Sequence, residues 1–102
     1  MTREEFVKVI ENIRVGEVLL LSNRGSDNEH MFKVERIRYY NNPRLSNYNT
    51  IQFIEFEVTF STGKIRHERL TVLQIVDNYN FIGKYKYKYI VKLKDGIKNE
   101  NT

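Results

Sequence analysis

Residues 52–70 read Q-F-I-E-F-E-V-T-F-S-T-G-K-I-R-H-E-R-L, and their period of two decides the fold. Ile54, Phe56, Val58 and Phe60 fall on one side of an extended chain, with Glu55, Glu57 and Thr59 on the other. That alternation is what a half-buried strand requires, because successive side chains point to opposite faces. Ser61-Thr62-Gly63 supplies a short turn with a glycine for a positive φ, and residues 65–70 return as the partner strand. Glu55 and Glu57 share a face about 6.6–6.8 Å apart by the strand repeat. Either can face Arg66 or Arg69 across the hairpin, so charge pairing accounts for them without acid–base catalysis.

Upstream, residues 31–40 form a strand whose in–out pattern slips. Phe32 and Val34 share one face while Ile37 and Tyr39 share the other, and an extra residue near Glu35 and Arg36, a bulge, reconciles them. Residues 18–21 are a wholly apolar buried strand. Two polar stretches, 22–29 (S-N-R-G-S-D-N-E) and 41–49 (N-N-P-R-L-S-N-Y-N), are loops by composition. The chain opens on a helix expected over 2–14, since Phe6, Val9, Ile10 and Ile13 repeat at 3.6-residue spacing. Thr2 and Glu5 fit a capping box, Arg14 suits the negative end of the helix dipole, and Gly16 is the expected stop. Val72, Ile75, Val76 and Tyr79 repeat the helical spacing, and Thr71 with Gln74 repeats the box, so 71–79 is read as a short helix or 3₁₀ turn. A long strand over 82–94 closes the order.

The chain is therefore expected to be mainly β with an N-terminal helix (α+β). Helix, four strands, a helical turn and a fifth strand resemble, at the level of element order, a small five-stranded antiparallel SH3-like barrel. The alternative is a curled or open sheet packed by the helix. With 102 residues, 40% hydrophobic and 29% charged, the chain suits one domain over 1–95, followed by a flexible polar tail over 96–102. The absence of cysteine removes disulfides, zinc thiolates and a cysteine nucleophile. No apolar run approaches the ~20 residues of a membrane span, and a cytoplasmic, membrane-free protein without cofactors is expected.

Residues 84–94 read K-Y-K-Y-K-Y-I-V-K-L-K. By parity, Lys84, Lys86, Lys88, Lys92 and Lys94 line one face with Ile90, and the tyrosines line the other. These five lysines account for the whole excess charge of +4: the other residues hold 12 basic against 13 acidic side chains. A row of like charges is relieved by a polyanion, and phosphates neutralised by lysine release condensed counterions. Such contacts position without reading bases. Base recognition falls to Arg36, Arg38, Tyr40, Asn42, Arg44 and Tyr48, residue types that form bidentate contacts to base edges or stack on unpaired bases. Exposed lysines on an edge strand also guard against edge-to-edge aggregation.

The expected function is a non-enzymatic nucleic-acid-binding accessory or regulatory protein, with double-stranded DNA ahead of RNA. The alternative is a small protein-interaction module or inhibitor of phage or plasmid type, docking on an acidic partner surface. A homodimer would let either contact two half-sites. His30 ends Asp27-Asn28-Glu29-His30, which matches no metal-ligand spacing and reads as a solvated loop, and His67 and Glu68 point to opposite faces of their strand. No metal site and no catalytic set are expected.

Overall fold

The computed structural model describes residues 1–40 and 50–86. Along them run α1 (Arg3–Glu11), β1 (Glu17–Asn23), β2 (Glu29–Tyr39), β3 (Ile51–Thr59), β4 (Ile65–Leu70), α2 (Val72–Asn78) and β5 (Tyr79–Lys86). The strands form one antiparallel sheet in the order β4-β3-β2-β1-β5. The first four strands follow one another across the sheet. α2 then returns the chain from one edge to the other, so that β5 lies beside β1.

Residues directly opposed in a ladder share a face. Leu19, Phe32 and Val58 make one such row, Val34 and Phe56 the next, Ile37 and Ile54 a third. Phe6, Ile10 and Ile13 of the N-terminal segment and Ile75 and Val76 of α2 pack onto these rows and complete the core. Phe32 is central, with its ring edge-on to Phe56 at 5.5 Å and to Tyr79 at 5.0 Å. An ion pair between Arg3 and Asp77 joins the two helices on the solvent side.

The sheet is not closed, so the SH3-like barrel expected from the element order is not confirmed. β4 and β5 are its two edges among the described residues. The physical reason lies in the core: helix side chains fill the inner face, where a barrel would bring its own strands together. The architecture is mainly β, with five antiparallel strands and two helices. No described helix is long and apolar enough to cross a membrane.

Several local expectations are met in detail. The register of β2 against β3 shifts between Val34 and Arg36, which makes Glu35 the bulge residue and turns Ile37 back toward the core. Both capping boxes form, Thr2 with Glu5 and Thr71 with Gln74, and 72–78 is α-helix. At the β3–β4 turn Gly63 has φ 91°, and its N–H donates to the Phe60 carbonyl at 2.8 Å. This is the left-handed position that a three-residue hairpin loop asks of glycine.

Other boundaries differ. α1 ends at Glu11 rather than at residue 14, because the Asn12 side-chain amide donates to the Lys8 carbonyl at 2.7 Å and caps the last turn. Gly16 is not the stop: its N–H already donates to the Val34 carbonyl at 2.9 Å, in contact with the sheet. Tyr79 leaves the helical stripe, has extended φ and ψ, and opens β5 three residues before the expected start at 82. The loop over 41–49, the remainder of the strand expected to 94 and the tail over 96–102 lie outside the described residues.

Candidate nucleic-acid interface

Both helices pack on one face of the sheet, and the opposite face carries no helix among the described residues. On this bare face, alternation along β3 brings out Phe53, Glu55 and Glu57, and the ladder sets Arg38 opposite Phe53, Arg36 opposite Glu55, and Arg69 opposite Glu55 from the other side. Arg69 lies over the Phe53 ring with its guanidinium carbon 4.4 Å from the centroid, and that of Arg36 is 6.0 Å away. The two oxygens of Glu55 divide between them: Arg36 Nε at 3.3 Å from one and Arg69 Nη2 at 3.5 Å from the other. Two guanidiniums thus flank one aromatic ring and share one carboxylate, with Arg38 opposite the ring in the ladder. Arg38 has no ion-pair partner among the described residues. At the end of β2 the register shift turns Tyr39 opposite the core residue Ile51. Tyr40 lines a groove with Val7 and Glu11 of α1 and Val72 and Leu73 of α2, so both tyrosines lie toward the helix-bearing side rather than on this patch.

The two pairs to Glu55 do not withdraw these arginines from a ligand. Their side chains are more than half exposed, and exposed pairs of this kind contribute about 0–1 kcal/mol. A phosphate could compete for either guanidinium at little cost.

Farther along the same face His67 Nδ1 sits 2.9 Å from Glu35 Oε1. The hydrogen bond to Glu35, then the charge of that carboxylate and of Glu57, raise the His67 pKa above its ordinary value. The expected pairing of Glu55 with Arg69 is present, whereas Arg66 pairs along its own strand with Glu68 at 3.9 Å.

The lysine row is placed differently from these arginines. Lys84 opposes Leu19 and so belongs to the helix-bearing face, while Arg36 and Arg38 belong to the bare one; the backbone of Lys86 pairs with Glu17. Lys84 Nζ lies 3.7 Å from Glu17 Oε2, and that carboxylate is 14% exposed against 29% for Glu55, so the pair is the less screened by solvent of the two. Tyr85 takes the other face, as the parity of the strand requires, and folds over Gly83: a Cβ there would meet the Tyr85 hydroxyl at 2.9 Å. Lys88, Lys92, Lys94, Asn42, Arg44 and Tyr48 lie outside the described residues. Among the described residues, then, Arg36 and Arg38 are brought to one side, and Tyr40 and Lys84 to the other.

Phe53 and Arg69 belong to the patch although sequence reasoning did not select them. The signal was present: Phe53 is the one aromatic among the outward positions of residues 52–60, and Arg69 shares the outward parity of its own strand. His30, expected in a solvated loop, is instead buried in β2, where Ser61 N–H donates to its Nδ1 at 3.2 Å. Compared with protein-family models, with curated proteins and with solved structures, the chain matches none.

Proposed function

We propose that this chain is a non-enzymatic nucleic-acid-binding accessory or regulatory protein, with double-stranded DNA ahead of RNA as its partner. The observation that supports the reading is the sheet face on which Arg36 and Arg69 flank Phe53 and share Glu55, with Arg38 opposite the ring in the ladder. Guanidiniums held in this way displace condensed counterions from phosphates and can also reach a guanine edge in bidentate fashion. Phe53 offers a ring on which an unpaired base stacks. On the other side of the sheet lies Lys84, whose contribution depends on how far Glu17 neutralises it.

A protein-interaction module is the second reading, favoured by the outer edge of β4, which pairs only with β3 among the described residues. An added strand from a partner would fit there. Against it, Arg66, His67, Glu68 and Arg69 give that edge the charge that discourages strand pairing.

Fluorescence anisotropy with a labelled duplex, the matching single strand and the matching RNA, each titrated over a range of salt, tests the proposal. Binding to the duplex that weakens linearly in log salt supports it. No binding at low salt, or an affinity indifferent to salt, overturns it. A protein partner that is retained from lysate after nuclease treatment would move the assignment to the second reading.

A further inference from the structure

At the far end of the sheet from the arginine patch, on the helix-bearing face, the β3–β4 turn and the start of β2 enclose a cleft of about 350 Å³. His30 forms its floor and is 94% buried, with 6% of its surface exposed. The ring is held from two directions. Phe60 packs edge-on at 4.8 Å between centroids, and the Ser61 N–H donates to Nδ1 at 3.2 Å. With Nδ1 an acceptor, the neutral ring carries its proton on Nε2. No described residue accepts from that nitrogen, and no buried side-chain nitrogen or oxygen among the described residues lacks a partner. Nε2–H is therefore not sealed in the core, and His30 is one of the residues that line the cleft.

The rim is built from donors. Lys64 and Arg66 supply two positive charges, Asn28 an amide, and Ser61 and Thr62 hydroxyls. No aspartate or glutamate lines the cleft among the described residues. Arg66 Nε lies 3.9 Å from Glu68, and its guanidinium sits over the Phe60 ring at 5.7 Å, which holds it at the cleft. Glu29 precedes His30 along β2 and so points to the other face.

We propose that this cleft is a binding site for a phosphate monoester. Two cations match the charge of about −1.5 to −2 that such a group carries near neutral pH. Donors arriving from floor and rim suit a tetrahedral oxyanion, which presents oxygens in several directions, better than a planar carboxylate. The imidazole N–H on the floor gives the site a fixed point, because Ser61 and Phe60 hold the ring while Lys64 and Arg66 reach in from solvent. The site is independent of the arginine patch, from which it is separated by the sheet itself.

The test is an amide chemical-shift titration of the full chain with inorganic phosphate, a nucleoside 5′-monophosphate, and a short oligonucleotide with and without a 5′-phosphate, all against chloride at equal ionic strength. Shifts concentrated at 28–30 and 60–66 with phosphate and not with chloride support the proposal. The nucleotide and the oligonucleotide pair identify whether the group is delivered free or at a strand end, since only a strand-end site separates the phosphorylated oligonucleotide from its unphosphorylated form. Lys64→Ala and Arg66→Ala, both at exposed positions, are each expected to weaken phosphate binding about tenfold or more, the loss of one charge-assisted hydrogen bond. His30→Gln retains a donor and is expected to bind more weakly with the fold intact in its amide spectrum. Shifts equal in chloride, or an affinity unchanged in both the Lys64 and the Arg66 variants, overturn the site.

Discussion

His67 of β4 reaches Glu35 of β2 at 2.9 Å although β3 runs between their strands. The contact exists because Glu35 is the bulge residue: it has no opposite number on β3, and the side chain is turned along the bare face. A hydrogen bond to a carboxylate favours the charged imidazole.

The first prediction follows from that pair. With its pKa raised in the folded state above the ordinary 6.5, His67 contributes stability that is fully present below that value and is lost as pH rises through the folded pKa. Glu35→Gln is expected to bring the His67 titration, followed by NMR, back toward 6.5 and to remove the associated pH dependence of stability. An unchanged titration in the variant would show that Glu35 does not set it.

The arginine patch makes two opposed predictions on one measurement. Arg38→Ala is expected to weaken duplex binding and to reduce the slope of log affinity against log salt by about one unit. Glu55→Gln removes the carboxylate that Arg36 and Arg69 share, so it is expected to strengthen binding and steepen that slope. Salt-dependent anisotropy reads both, and equal effects of the two substitutions would disconnect the patch from binding.

The two capping boxes should separate in acid. In α1 the Thr2 N–H donates to Glu5 at 2.8 Å, a bond that holds the Glu5 carboxyl below its ordinary 4.5. Its contribution is present above 4.5 and is lost as pH falls through the folded pKa. In α2 the equivalent bond runs from Thr71 N–H to Gln74 at 2.9 Å, and an amide does not titrate there. The Thr2 amide should therefore shift on acidification in an NMR titration while the Thr71 amide stays in place. Thr71→Ala should lower stability by about 0.5–2 kcal/mol at any pH at which the fold persists.

Core substitutions set the scale for all of these. Phe56 is wholly buried, with its ring against Phe32. Phe56→Ala removes that contact and leaves a cavity that the surrounding sheet cannot close, at a cost of about 3–5 kcal/mol in urea unfolding. A loss below about 1 kcal/mol would mean that the helices settle into the space.

What the sequence by itself determined is local. The apolar stripe of α1, both capping boxes, the hairpin at Gly63 and the bulge at Glu35 depend on residues a few positions apart, and the repeat of helix or strand makes such relations legible. Parity along residues 84–94 likewise separated Lys84 from Tyr85 correctly. Only the tertiary structure decided which faces those parities meet. α2 carries β5 to the far edge beside β1, and a register shift between Leu20 and Leu21 completes the pairing. That distant pairing sets Glu17 against Lys84 and puts Lys84 on the opposite side of the sheet from Arg36 and Arg38. It is the same kind of contact that buries His30 under the β3–β4 turn. Strand periodicity says that neighbours alternate. Which side is covered depends on hydrophobic contacts between segments dozens of residues apart, and those are settled only when the helices pack.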